Sequence, residues 1–295
     1  MTKALVLGGG GPVGIAWESG LIAGLAKAGL NLATADFIMG TSAGSFVGAR
    51  LAMGASPETL ADPILAEPPT RPKESPSALN TRPPDLTRLM KLMVEAHSGG
   101  RPANEAMREI GALALAAETP TEAAFIASFG RAFAGLPDEA WPQRNFACTA
   151  VDAQTGEFQL WTKDSGVGVT RAVASSCSVP GVYPPVTLNG ARYMDGGMRS
   201  GTNADLATGH ALVVVIQVRA AATVGPAAEA MSKRFEAEIE VLQADGAKVM
   251  VITPDAGSLT AMGANLMDFR HRVAAAKAGL AQGAAQAESL RAVWA

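Results

Sequence analysis

Two short apolar segments near the start of the chain each run into a glycine turn and then a helical pattern, and this arrangement restricts the fold more than any other feature. Lys3–Leu7 is brief, apolar after its lysine and stopped by Gly8, which predicts a fully buried strand. Gly8–Gly14 follows as a loop. From about Val13 to Lys27, Ile15, Leu21, Ile22 and Leu25 recur near helical spacing, and Gly29 suits the position just past a helix end. Phe37–Gly40 predicts a second strand, and the small-residue stretch Ala43–Met53 a second helix. Strand, helix, strand, helix within ~55 residues belongs to an α/β fold with a parallel sheet.

Later segments extend the same sheet. Phe146–Val151, Phe158–Thr162, Leu212–Val218 and Lys248–Thr253 read as strands, and the nearly unbroken Val/Ile run of the third predicts cover on both faces. Between Pro57 and Pro142 the composition changes. Pro-rich text (PPTRPKESPSALNTRPPD) is followed by helical patterns at Leu86–His97, Asn104–Ala117 and Thr121–Phe133. The expected architecture is one α/β domain over residues 1–295, a mostly parallel sheet flanked by helices, with a helical insertion or cap at about 57–142. The Ala-rich stretch from Leu259 to Trp294 reads as mostly helical.

Composition narrows the function classes. Apolar residues are 48% and charged residues 17% of 295, enough for a continuous core. The formal net charge is −3 and no Lys/Arg run is sustained, so nucleic acid is not an expected partner. Cys148 and Cys177 lack CxxC spacing and read as buried free thiols; His97, His210 and His271 are not at ligand spacing, so no metal or cofactor is called for. Ala4–Leu7 is too short for a signal or membrane segment, which makes the cytoplasm the default expectation.

Three motifs carry chemistry. Gly40-Thr41-Ser42-Ala43-Gly44 is a GxSxG match between a predicted strand and a predicted helix. A serine there needs small neighbours two before and two after it, so that its hydroxyl projects free of its own backbone. The alternative is a structural turn in which Ser42 caps the helix. The run Gly8–Gly14 offers backbone amides ahead of a helix. Gly9, Gly11 and Gly14 also satisfy GxGxxG, but a dinucleotide site wants an acidic residue at the end of the second strand, where Gly40-Thr41-Ser42 stands instead. An oxyanion hole is the other reading, since two loops leaving adjacent parallel strands converge. Asp195-Gly196-Gly197 alone would be an ordinary turn.

Taken in order, the Gly run, GTSAG and DGG resemble the patatin-like phospholipase family. The resemblance implies Ser42 as nucleophile, Asp195 as its base, and the amides of Gly9, Gly10 and Gly11 as oxyanion donors. Ala174–Gly181 with Pro184-Pro185-Val186 is similar to the family's segment ahead of DGG. The likeness spans roughly residues 1–55 and 145–218. Val13 stands where many relatives carry Arg or Lys, and Gly201 where an asparagine six residues after the aspartate is expected, with Asn203 just beyond.

The histidines agree with a dyad. A Ser–His–acid triad needs a late histidine on a loop, whereas His271 reads as the charged side of a helix, His210 precedes the Val/Ile strand and His97 lies in the cap. The resemblance implies a lipid acyl ester as substrate. Leu86–Val94, apolar on a broad face with Arg88 and Lys91 nearby, suits an acyl pocket, a peripheral membrane contact or, more commonly, core. Two other classes stay open at this point: a nucleotide-binding oxidoreductase using the Gly loop, and a non-catalytic binding protein of the same fold.

Overall fold

The computed structural model of the chain describes residues 1–68, 87–97, 102–219 and 225–294. Among these, eight strands form one sheet: β1 (Lys3–Leu7), β2 (Phe37–Gly40), β3 (Phe146–Asp152), β4 (Phe158–Trp161), β5 (Val186–Leu188), β6 (Ala191–Asp195), β7 (Leu212–Ile216) and β8 (Lys248–Ile252). The helices are α1 (Gly11–Lys27), α2 (Ala43–Ala52), α3 (Asp62–Leu65), α4 (Thr87–His97), α5 (Ala103–Ala116), α6 (Glu122–Ser128), α7 (Val169–Ser176), α8 (Pro226–Ala244), α9 (Ala256–Met262) and α10 (Arg272–Trp294).

The sheet runs β5-β6-β3-β2-β1-β7-β8, with β4 paired to β3 off that path. β8, β7, β1, β2 and β3 are parallel to one another, while β4, β5 and β6 are antiparallel to their neighbours. The mostly parallel α/β architecture expected from the sequence is therefore the architecture found. Alternation along the strands explains the layers. Leu5, Leu7, Ile38, Val214 and Ile216 join one core with residues of α1, α2 and α10. Ala4, Val6, Met39, Val213 and Val215 join another, closed by Leu242, Phe235 and Ile239 of α8. Helices thus cover both faces, as the Val/Ile run of β7 requires.

A smaller third core holds the helices before β3. Leu89, Leu92, Met93 and Ala96 of α4 meet Met107 and Ile110 of α5 and, from the sheet side, Val151 and Met194. The Leu/Met stripe of α4 is thus spent on packing, with Met90 left on the outside. Residue 86 and most of the Pro-rich text lie outside the described residues. No helix among the described residues is long and apolar enough to cross a membrane.

Several boundaries differ from expectation, each for a local reason. The third helix of the insertion stops at Ser128 rather than Phe133, because residues beyond it form successive turns around Gly130. The C-terminal stretch, mostly helical as expected, is divided into two helices. Gly263, at φ 69°, ends α9, and Asp268 starts a short turn by accepting the Arg270 amide. His271 lies in that turn rather than on a helix. The hairpin β5–β6 closes through Asn189-Gly190, both at positive φ, the pairing that two-residue hairpins favour. α8, absent from the sequence reading, shows helical spacing at Phe235, Ile239 and Leu242.

Across the large core, α1 and α10 approach through glycines. A side chain at Gly20 or Gly24 would be driven into the carbonyl oxygens of Ala276 or Leu280, and one at Gly279 or Gly283 into those of Trp17 or Leu21. Trp17 Nε1 donates to Gln282 Oε1 at 3.2 Å across the same seam. Alanine in a helix interior normally gains about 1 kcal/mol over glycine. Here overpacking against backbone reverses the sign. Gly24→Ala is expected to lower unfolding stability by at least about 1 kcal/mol, measured by denaturant titration; a stabilised variant would show that the helices are not in close contact.

Candidate active site

β2 ends at Gly40, and the chain must turn at once into α2. Ser42 takes that turn at φ 51°, ψ −116°, a left-handed conformation rare for a side-chain-bearing residue and costly unless the surroundings enforce it. The two flanking glycines are what make it sterically feasible. A Cβ on Gly40 would enter the Gly44 carbonyl and the Ser45 backbone, and one on Gly44 would enter the Leu7 carbonyl. Ser42 makes no side-chain capping bond to α2. Its hydroxyl is therefore not used as a helix cap.

The Gly loop after β1 lies against this turn. Gly44 N donates to Gly8 O at 3.0 Å, and a Cβ on Gly9 would lie 3.3 Å from Ser42 Cβ. The three glycines differ in what their amides do. Gly9 N donates to Gly201 O at 2.7 Å and so fastens the loop. Among the described residues, the amides of Gly10 and Gly11 donate to no protein acceptor, and they open the N-terminus of α1. Such amides suit an anion, with the helix dipole behind them. Ala43 N, the first amide of α2, is likewise without an acceptor there.

Asp195 arrives from the opposite direction. Because β6 is antiparallel to β3, its end pairs Asp195 with Ala150, level with Thr149, whose hydroxyl meets that of Thr41 at 3.0 Å. The carboxyl is 2% exposed. Oδ1 accepts the Gly197 amide at 2.7 Å, and Oδ2 is buried with no hydrogen-bond partner among the described residues. Burial pushes the carboxyl up to about 7, against the pull of the Ser42 hydroxyl and the Gly197 amide. The hydroxyl is near enough to exert that pull, although no bond of normal geometry joins it to Oδ2. Such slack is common before substrate binds.

Two further segments hold these groups, and the sequence marks both. Ser176 Oγ accepts the Ser42 amide at 2.9 Å, Cys177 Sγ donates to Ser42 O at 3.1 Å, and Ser178 O accepts the Asp195 amide at 3.0 Å. Three consecutive residues at the end of α7 thus span nucleophile turn and aspartate. Cys177 and Cys148 are buried free thiols; burial pushes both up, Cys177 further through the nearby Asp195 charge. The other segment centres on Asn203, fully buried at φ 52°. Its Nδ2 donates to Ser200 O at 2.8 Å and Thr41 Oγ1 at 3.0 Å, and its Oδ1 accepts Arg199 Nη1 at 2.8 Å. Displaced by two residues from the expected position, this asparagine still ties the turn before Ser42 to the loop after Asp195.

Other residues flagged in the sequence stand apart. His210 stacks on Phe37 at 5.4 Å, and His271 Nδ1 meets Ala261 O. Val13 is buried in the large core. Among the described residues no group of His, Cys, Asp and Glu is arranged to hold a metal ion.

No curated protein sequence matches the chain. Among solved structures, VipD from Legionella pneumophila is similar with a TM-score of 0.47 and 14% identity, over 98% of this chain and 67% of that one. The type III effector protein ExoU is similar with a TM-score of 0.38 and 18% identity, over 97% of this chain and 53% of ExoU, so the chain spans about half of ExoU's length. The family model for patatin-like phospholipase matches residues 5–208, a stretch that contains the Gly loop, the Ser42 turn and Asp195; the chain belongs to the patatin-like phospholipase family.

Proposed function

We propose that the protein is a serine acyl-ester hydrolase acting on lipid esters through a Ser42–Asp195 dyad, with the Gly9–Gly11 loop as its oxyanion hole. The general activity, lipid acyl hydrolysis, goes with the family. The observation that carries the finer reading is the orphaned Oδ2 of Asp195, buried beside a serine hydroxyl that its own helix does not use. An unpaired buried carboxyl oxygen costs stability and is seldom kept without a use.

In this reading Ser42 Oγ attacks the ester carbonyl carbon while its proton passes to Asp195. The carbonyl π electrons move onto oxygen, and the resulting oxyanion is met by the Gly10 and Gly11 amides, which hold no other acceptor. Each such donor is worth ~3 kcal/mol of transition-state stabilisation. Collapse of the intermediate expels the alcohol, which takes the proton from Asp195. Water then attacks the acyl-serine, giving its proton to the same carboxylate; when the second intermediate collapses, the C–O bond to Ser42 breaks, Oγ takes that proton back from Asp195, and the fatty acid leaves. A carboxylate near its ordinary pKa of about 4 would be a poor base. Burial raises its basicity to the range where it both accepts and returns a proton near neutrality.

Ser42→Ala and Asp195→Asn are each expected to reduce hydrolysis of p-nitrophenyl butyrate at least about 1000-fold with an unchanged circular dichroism spectrum. A fluorophosphonate probe should label the native chain and not the Ser42→Ala protein. A fully active Asp195→Asn variant would remove the aspartate from the mechanism.

The pH dependence has a definite sign. Asp195 acts as a base only when ionised, so kcat/KM should rise with pH through about 7. Its folded pKa lies above the unfolded value, so the folded state binds the extra proton and stability falls as pH rises from about 4 to about 7. Asp195→Asn, which cannot ionise, should therefore gain in melting temperature relative to the native chain at pH 8 and lose that gain by pH 4. A native activity profile flat from pH 5 to 9 would contradict the assignment.

A further inference from the structure

The Gly loop beside Ser42 leans on another loop. Gly9 N donates to Gly201 O at 2.7 Å, whereas the Gly10 and Gly11 amides have no protein acceptor among the described residues. The aim of those two amides is therefore set by how Gly9 and the start of α1 are held. Gly201 belongs to the connection between the turn after Asp195 and β7, and residues 200–203 of it are neither helix nor strand. Side chains must fix such a stretch, because no ladder of backbone bonds does so.

Asn203 fixes it from within, through Ser200 and Thr41. The other support comes from α8. Glu238 Oε2 accepts the Thr202 hydroxyl at 2.6 Å and the Ala204 amide at 2.9 Å. Its Oε1 accepts Arg234 Nε, one turn earlier on the same helix, at 3.1 Å. Arg234 Nη2 also lies 3.5 Å from Asp205 Oδ2, so the ion pair is braced against the connection it serves. Glu238 is 1% exposed, and Thr202 and Ala204 are buried with it. A buried carboxyl is costly unless donors surround it, and two of its three donors here flank the carbonyl that holds Gly9. α8 lies outside residues 5–208, the stretch matched by the family model, so this support comes from a part of the chain that the match does not cover.

We infer that Glu238 is a positioning residue for the oxyanion hole. Through Thr202 and Ala204 it sets the Gly201 carbonyl, through that carbonyl the Gly9 amide, and so the aim of Gly10 N and Gly11 N. This role rests on the Ser42 and Gly-loop reading and deepens it. Preorganised amides act by direction, and a misplacement of ~1 Å lowers a rate on the order of 100-fold. A loosened loop visits the misplaced state part of the time, so removal of the Glu238 acceptor should lower kcat by about tenfold or more.

Glu238→Leu removes the acceptor at similar volume, while Glu238→Gln keeps an oxygen for Thr202 and Ala204 and gives up only the ion pair. With p-nitrophenyl butyrate, the leucine variant should lose kcat with KM within about twofold, and the glutamine variant should stay within about threefold of the native kcat. Equal losses in both would assign the effect to the ion pair and overturn the inference, as would a loss through KM alone. Thr202→Val deletes one donor with little change of shape; it should lower kcat several-fold at constant KM, and it serves if Glu238→Leu does not fold.

A second readout reports on the oxyanion itself. A butyl trifluoromethyl ketone accepts Ser42 Oγ at its carbonyl carbon; the π electrons move onto oxygen and the hydroxyl proton passes to Asp195. The methyl ketone of the same chain binds without that addition. The ratio of their inhibition constants should shrink in Glu238→Leu by about the factor lost in kcat. Gly24→Ala, destabilised in the α1–α10 seam, is the control and should keep the native ratio and the native kcat per folded chain. A ratio unchanged in Glu238→Leu, or reduced equally in Gly24→Ala, overturns the inference and leaves Glu238 to folding alone. A native chain that no fluorophosphonate labels would sink the Ser42 reading; a labelled native chain with a fully active Glu238→Leu variant would sink only the role of Glu238.

Discussion

The rest of the site depends on one close backbone approach, that of Gly44 to the end of β1. Its amide is shared between Gly8 O and Thr41 O, and its Cα is pressed against the Leu7 carbonyl. No residue with a Cβ fits that contact. Because it exists, the turn bearing Ser42 and the loop bearing Gly10 and Gly11 are held as one body, although 30 residues of helix and loop separate them in the chain. The left-handed backbone of Ser42 is sustained by the same arrangement, with Ser176 Oγ and Cys177 Sγ pinning its amide and carbonyl.

Asp195 shows the opposite economy. Most buried carboxylates are satisfied by cations or several donors, whereas this one has a single amide on Oδ1 and, among the described residues, no hydrogen-bond partner on Oδ2. Arg199 is engaged by Asp205 and Asn203, and Arg234 by Glu238. A salt bridge to Asp195 would have lowered its basicity. Desolvation without a counter-charge raises it, at the expense of folding stability above pH 7. Strain at Ser42 and desolvation at Asp195 are both local costs, carried by a large core that glycine-to-backbone packing of α1 on α10 makes unusually tight.

Much of the fold was legible in the chain. β1, β2 and β7 are continuous apolar runs because they are covered on both faces, and Gly40, which stops β2, is required by its contact with the backbone of Gly44 and Ser45. What was not legible has particular causes. The hairpin β5–β6 carries the Asn-Gly turn signal but only eight strand residues, too few to show a period. α8 reads as a polar, Ala- and Glu-rich segment until Phe235, Ile239 and Leu242 are seen to close the second face of the sheet. The insertion's third helix is shorter than its apolar spacing suggests, because a run of turns around Gly130 ends it without disturbing composition.

The candidate residues Ser42, Asp195 and the Gly loop were recognisable from sequence, since each needs glycines at fixed offsets and those offsets are visible without coordinates. The sequence by itself determined that there would be a serine turn flanked by glycines between a strand and a helix, and a glycine amide loop after the first strand of a parallel sheet. Only the tertiary structure decided the rest: that Gly9 fastens the loop while Gly10 and Gly11 keep amides without an acceptor among the described residues, and that Asn203 joins two turns. The physical reason is that hydrogen-bond partnership and desolvation are set by neighbours more than 100 residues away, as with Ser42 and Ser176 or Thr41 and Asn203, and no local pattern encodes those pairings.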